Sequence, residues 1–253
     1  MNVKRKNRTA LITGASRGIG RATALRAAGA GYDVGVNYVT DREAAQTVVA
    51  ACRECGVASA AIQADIANRN SVAKMFEEAD YRLGPLGLLV NNAGIIGKAS
   101  EVKNLDPESL QRTFEVNVYG TIYCAQEAIP RLSTAEGGKG GVIINLSSIA
   151  STLGSPGEYV HYAASKGAID TFTIGLAKEA ASLGIRVNAV QAGTTDTEIH
   201  ARSGNPDRPA MVARTAPLGR VATPDDIARA VIWLASEDAS YATGASLRVS
   251  GGL

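Results

Sequence analysis

The sequence predicts an α/β protein: a doubly wound parallel sheet of about seven strands with helices on both faces. Three observations lead there. Short apolar runs alternate with longer stretches of helical composition along the whole chain. Short buried strands between helices are the mark of a parallel sheet covered on both sides. A glycine-rich turn joins the first apolar run to the first helix. No linker, repeat or low-complexity stretch divides the 253 residues, so residues 1–253 read as one domain. At 45% hydrophobic and 20% charged the composition is ordinary, and the length suffices for a substantial core.

In chain order, strands are expected at residues 10–13, 33–38, 59–63, 86–91, 141–146, 185–190 and 246–249. Helices are expected at 18–30, 42–55, 70–82, 107–134, 160–182 and 225–235. The glycines at 137, 138, 140 and 141 form a surface turn before the fifth strand. Residues 1–8 are basic with no apolar signal core behind them, and read as a solvated tail. A net charge of +2 gives no strong pull towards nucleic acid or an anionic membrane. No apolar run is long enough to span a bilayer, so a cytoplasmic enzyme is the expectation. Cys52 and Cys55 invite a zinc or redox reading, but no second cysteine pair or histidine pair stands at ligand spacing. They fall late in a helix, where a thiolate is not stabilised. With Cys124 they read as packing residues, and no metal site is expected.

The turn after the first strand carries Gly14, Gly18 and Gly20 and opens the first helix. This is where a Rossmann-like doubly wound sheet binds a pyrophosphate, against the helix N-terminus. Glycines let the backbone turn tightly and let phosphate approach. The end of the second strand sets cofactor choice, since a carboxylate there would hold a ribose 2′-hydroxyl and indicate NAD. Here it reads Val36, Asn37 and Tyr38, with no carboxylate before Asp41. Arg17 in the glycine turn and Arg42 beyond the strand suit a 2′-phosphate. NADP(H) is therefore favoured over NAD(H).

Tyr162 and Lys166 stand four residues apart in a helical run and share one face. An ammonium beside a phenol favours the phenolate, so the tyrosine pKa is expected below its usual ~10. Such a phenol serves as a general acid or base.

Taken together these motifs resemble the short-chain dehydrogenase/reductase family over essentially the whole length from about Thr9. The resemblance rests on the glycine turn, Asp65 after the third strand, and Asn91 to Gly94 after the fourth. It continues through Asn117, Ser148, Tyr162 with Lys166, and Asn188 to Gly193. Within the family the chain is most similar to bacterial glucose-1-dehydrogenase-like and 3-oxoacyl-carrier-protein-reductase-like members. The resemblance implies hydride transfer between a nicotinamide cofactor and a carbonyl or secondary alcohol. Tyr162 would move the proton, and Lys166 would lower its pKa and hold the nicotinamide ribose. Ser148 would hydrogen-bond the reacting oxygen, and Asn117 would hold a water linking Lys166 to solvent. Gly14, Ser16, Arg17, Gly18, Ile19 and Gly20 would cradle the phosphates, with Asn37, Tyr38 and Arg42 at the ribose. Asp65 and Ile66 would flank the adenine, and Asn91, Ala93 and Gly94 would line the dinucleotide. Gly193, Thr195 and Thr197 would meet its nicotinamide side. The cofactor carries the hydride and the protein orients it.

Four local features qualify that reading. Neighbouring strand residues face opposite ways, so either Ser147 or Ser148 meets the substrate, and family spacing favours Ser148. Tyr159 stands seven residues before Lys166, the spacing of enoyl reductases in a divergent branch, and otherwise reads as a pocket wall. Ala192 replaces the proline usual before Gly193, which should loosen that loop. The turn at residues 181–184 lacks the basic residues common in carrier-protein reductases.

Residues 194–216 are the variable region that covers the substrate in relatives, and Gly204, Pro206 and Pro209 suit a mobile lid. Ile199, Met211 and Val212 would give it an apolar face. Tyr159, Glu158 and His200 are candidate substrate residues, with His161 beside Tyr162 as a packing histidine. The long helical stretches at 107–134 and 160–182 would form the four-helix interface of a homotetramer, as in the family. A non-catalytic dinucleotide sensor on the same fold is the competing class, though all four catalytic positions are filled. A phosphate-binding NTPase loop is absent from the sequence.

Overall fold

The computed structural model describes residues 8–253. Seven strands form one sheet: β1 (Thr9–Ile12), β2 (Asp33–Tyr38), β3 (Ser59–Gln63), β4 (Leu86–Asn91), β5 (Gly141–Ser148), β6 (Ile185–Ala192) and β7 (Ser246–Val249). Their order is β3-β2-β1-β4-β5-β6-β7, and every neighbouring pair is parallel. Strand order reverses between β1 and β4, and in such sheets that point opens a crevice at the carboxyl ends.

The helices are α1 (Gly18–Gly29), α2 (Arg42–Glu54), α3 (Arg69–Leu83), α4 (Pro107–Phe114) and α5 (Gly120–Leu132). They continue as α6 (Ala150–Leu153), α7 (Val160–Ala180), α8 (Ile199–Arg202), α9 (Arg208–Ala213) and α10 (Pro224–Ala235). Their starts follow capping chemistry. Asp41 accepts from Ala44 N at 3.0 Å, and Asp106 from Ser109 N at 3.0 Å ahead of Pro107. Thr223 and Asp226 form a reciprocal capping box on α10.

Two apolar layers flank the sheet. Ala10, Ile12, Val34, Val36, Leu88, Val90 and Ile144 pack on one face with α1, α2 and α10 residues. Leu11, Leu89, Ile143 and Val187 pack on the other with Phe76, Met75, Cys124, Leu132 and Leu176. Alternate residues of each strand thus serve opposite layers. Cys52 and Cys124 lie in these layers, and burial pushes the Cys52 thiol up to about 11 and Cys124 higher still.

Several boundaries differ from the sequence expectation. β1 ends one residue early because Thr13 leaves the ladder: its Oγ1 accepts from Asn92 N and Ala93 N, each at 3.0 Å. β5 and β6 each run two residues further, to Ser148 and Ala192, because these two residues pair with each other. The expected helix over 107–134 is interrupted by a π turn at Glu115–Tyr119. Arg8, expected in the tail, is anchored instead: its guanidinium bonds the Gly140 carbonyl and its own carbonyl accepts from Asp33 N at 3.1 Å. The rest of that tail lies outside the described residues.

Candidate active site

A cleft of about 860 Å³ opens at the carboxyl ends of β1, β4, β5 and β6, lined by the turns that follow them. Its floor on one side is the glycine turn. Gly14 and Gly18 hold φ of +60° and +52°, values that favour glycine. A Cβ on Gly20 would stand 2.4 Å from the Gly14 carbonyl and 2.5 Å from Asn92 Nδ2. The turn is tied from below. Gly14 N donates to Asn37 Oδ1 at 3.0 Å, and Asn92 Nδ2 donates to the carbonyls of Thr13 and Gly14 at 2.8 and 3.1 Å. No side chain caps α1, so its first N–H groups face the cleft with the positive end of the helix behind them. This backbone cradle fits a pyrophosphate.

Ser16, Ile19, Tyr38, Asp65, Ile66, Ala93, Gly94, Gly193, Thr195 and Thr197 all line the cleft. Asn37 lines it too, but its side chain is spent on the turn and on the Ala64 carbonyl at 3.1 Å. Asp65 meets Arg112 at 2.7 Å. Arg17 reaches Asp41 at 2.7 Å and Glu198 at 3.1 Å, so it bridges the end of β2 to the lid.

Two expected cofactor residues stand elsewhere. Arg42 is exposed at the start of α2 and does not line the cleft, because Asp41 caps that helix and turns the chain away. Asn91 is buried inside β4, with Nδ2 donating to Asn145 Oδ1 at 2.9 Å. Its neighbour Asn92 performs the tie to the glycine turn. Ala192 does not sit in a loosened loop: it pairs in register with Ser148 and Val249 inside the sheet.

At the other end four side chains converge. β5 delivers both serines. Ser147 is buried with its hydroxyl donating to the Lys166 carbonyl at 3.3 Å. Ser148 accepts from Ala150 N at 3.1 Å and lines the cleft with Tyr162. α7 supplies Tyr162 and Lys166 from adjacent turns of one face. Lys166 Nζ donates to the Leu146 carbonyl at 2.7 Å and lies 5.8 Å from the centre of the Tyr162 ring. Asn117 occupies the π turn, a feature often found at functional sites. Its Oδ1 accepts from Ile95 N at 2.9 Å, while Nδ2 donates to the Ile95 carbonyl at 2.8 Å and Ser165 Oγ at 3.0 Å. A Cβ on Gly94 would lie 3.3 Å from Asn117 Oδ1 and 3.5 Å from Lys166 Nζ, which places those two groups side by side.

The expected fall in the Tyr162 pKa is reversed. Burial raises it, and the Ser148 hydrogen bond and the Arg208 charge pull it down less. Lys166 Nζ, 5.8 Å from the ring centre, does not offset that burial. Burial also lowers the lysine itself to about 8, against the opposing pull of the Asp170 carboxylate.

The lid and the segment leading into α7 carry the remaining groups. Tyr159 is buried, and its hydroxyl lies 3.4 Å from Ser203 Oγ. His200 Nε2 lies 3.1 Å from the Thr195 carbonyl, its Nδ1 has no partner among the described residues, and burial lowers its pKa. His161 is likewise buried and lowered, bonded to the Ile96 backbone. Glu158 does not line the cleft; it pairs outside it with Arg208. Arg208 does line it, and sequence reasoning missed this residue, as it missed Asn92 and Asp41. Nothing in spacing or composition marks one arginine of a lid as inward-facing. Asn92, beside the chosen Asn91, was the nearer miss.

A family model described as Enoyl-(Acyl carrier protein) reductase matches residues 14–253. The "Uncharacterized oxidoreductase YgfF" of Escherichia coli K12 is 49% identical over 96% of this chain and 98% of its own length. The "3beta-hydroxysteroid dehydrogenase 1" of Eggerthella lenta is 40% identical over 98% of this chain and 94% of its own. Among solved structures, a short chain dehydrogenase from Burkholderia cenocepacia J2315 in complex with NADP superposes with a TM-score of 0.88. It is 35% identical, with 97% of each chain covered.

Proposed function

The chain belongs to the short-chain dehydrogenase/reductase family of oxidoreductases, and from that premise we propose that it transfers hydride between NADP(H) and a carbonyl or secondary alcohol. Tyr162 is the general acid or base. The observation that carries this reading is the meeting of Ser148, Tyr162 and Lys166 on the lining of one cleft, with Asn117 Oδ1 beside Lys166 Nζ at Gly94.

The nucleotide, when bound, supplies the hydride. The protein supplies position and a proton. The glycine turn and the open end of α1 hold the pyrophosphate, and Thr195 and Thr197 stand opposite. Ser148 and Tyr162 line the same end of the cleft, so a substrate oxygen between them takes two hydrogen bonds, which strengthen as negative charge grows on it. Burial keeps the phenol protonated in the resting protein. That loads it as an acid, the state needed to reduce a carbonyl. Lys166, beside Asn117 and Gly94, is placed to meet ribose hydroxyls and to replace the proton. The lid, residues 194–216, covers the site and excludes water.

Arg17 supports NADP(H): it is the cation at the end of β2, and its guanidinium fits a 2′-phosphate. Tyr159 is the phenol that enoyl reduction would need, but its hydroxyl is buried against Ser203, whereas Tyr162 lines the cleft with Ser148 and Lys166. That favours carbonyl over C=C chemistry. Exposed Tyr119 beside α5 and Ile174 on α7, with Trp233 and Tyr241 on another face, support a homotetramer, which native mass spectrometry tests. Among the described residues no helix is long and apolar enough to cross a membrane; we read the protein as cytoplasmic.

The deciding experiment is binding of NADPH and NADH side by side, read by nicotinamide fluorescence. Tighter NADPH is the expected result. Tighter NADH would overturn the Arg17 assignment, and binding of neither would favour another role for the fold.

A further inference from the structure

Arg208 stands at the start of α9 with its guanidinium carbon 5.4 Å from the centre of the Tyr159 ring. A flat cation over an aromatic face is held in one plane. Its Nη1 bonds Glu158, and among the described residues no other donor of this guanidinium has a partner. Glu158 lies outside the cleft lining and Arg208 within it, so the carboxylate grips the guanidinium from behind. Tyr159 is the N-cap residue of α7, three residues before Tyr162. The charge of Arg208 is also felt at Tyr162 and at His200. The other cations of the cleft are placed differently: Lys166 is bonded to the Leu146 carbonyl at the reacting end. Arg17 and Arg112 are at the nucleotide end and each meets two carboxylates. Lys98 stands exposed, on a lining that also carries Asp106 and Glu108.

We propose that Arg208 is the substrate's anion site, and that the substrate is an oxo acid or hydroxy acid. Its carboxylate lies a few bonds from the carbon that exchanges hydride. This rests on the reading of Tyr162 and Ser148 as the reacting end. The fork of an arginine matches a carboxylate edge to edge. With its plane fixed by Tyr159 and one nitrogen held by Glu158, the guanidinium gives up little freedom on binding. A neutral ketone would leave the Glu158–Arg208 pair as a latch between lid and α7 and nothing more.

The test compares acetoacetate, 3-oxohexanoate and 4-oxopentanoate, each against its methyl ester. It is read twice: as kcat/KM with NADPH, and as the Tm shift each compound causes with and without NADPH. The acids are expected to be preferred in both readings. Arg208→Gln should lower the acid-to-ester ratio of kcat/KM by about 10- to 100-fold, and Arg208→Lys by less. A latch alone would change acid and ester together and leave the ratio where it was, which would overturn the proposal. So would esters preferred by the unaltered protein. A dead enzyme whose Tm still rises with acids, but not in Arg208→Gln, would keep the anion site and sink the hydride-transfer reading instead.

Discussion

The two ends of the cleft are built from different materials. The nucleotide end is backbone: glycines at positive φ, a carbonyl 2.4 Å from where a Gly20 Cβ would stand, and the uncapped start of α1. The substrate end is side chains carried on two short helices of the lid, held by an ion pair and a ring contact. A backbone site constrains residue type wherever the chain passes close to itself, so it leaves a pattern in the sequence. A side-chain site depends on which way a lid residue turns, and leaves almost none. Between them lies the reacting end, where residue identity is legible and electrostatics are not.

The largest effect separates those ends most sharply. Tyr162→Phe removes the proton donor while keeping the ring that fills the site. We expect kcat to fall by about 10²- to 10⁴-fold, with NADPH affinity retained by fluorescence titration. Near-normal turnover would remove Tyr162 from the mechanism and return attention to Tyr159.

Gly20→Ala strikes the backbone end. The added Cβ meets the Gly14 carbonyl and Asn92, both parts of the cradle itself. Overpacking of this kind costs about 1–3 kcal/mol. We expect a lower Tm and loss of NADPH and NADH binding together. A variant with unchanged dinucleotide affinity would show that the turn is not the phosphate site.

The residues that sequence reasoning misplaced follow the same division. Asn91 and Asn92 are both consistent with a strand-end motif. Asn91 is the last residue of β4 and bonds Asn145 inside the sheet, so its neighbour faces the turn. Arg42 has the right charge at the right edge, yet the Asp41 cap starts α2 there and carries it outwards. Asn117 was identified, but the π turn that presents it was not, because apolar spacing does not reveal one extra residue in a helical turn. The Tyr162 shift required burial depth, which a four-residue spacing does not contain. Fold class and strand positions were legible because period and composition report burial of whole elements; Arg208 was not, since it is one charge in a lid rich in polar residues.

Arg17→Ala sharpens the comparison within the nucleotide end, as a side-chain group on a backbone frame. A charge-assisted contact to a 2′-phosphate contributes about 1.5–3 kcal/mol. NADPH should weaken by that amount, and NADH hardly at all, in parallel titrations. Arg17 also meets Asp41 and Glu198, so a phosphate has to share or displace them. Equal losses for both nucleotides would assign Arg17 to the lid contact alone.

The smallest effect is electrostatic and belongs to the reacting end. Burial lowers Lys166 from its ordinary value of 10.5 to about 8 in the folded protein. Between those values the unfolded chain binds more protons than the folded one, so stability rises with pH across that window and falls as pH drops through it. The slope is at most about 1.4 kcal/mol per pH unit. Tyr162 acts oppositely: its raised pKa makes stability decline once pH climbs past the ordinary tyrosine value. The clean window is therefore from about 8 to about 10. Chemical denaturation of cofactor-free protein across it should show unaltered protein gaining stability relative to Lys166→Met. Identical pH dependence in the two would mean that the ammonium is solvated in the free protein. Burial of Lys166 would then no longer account for its lowered pKa.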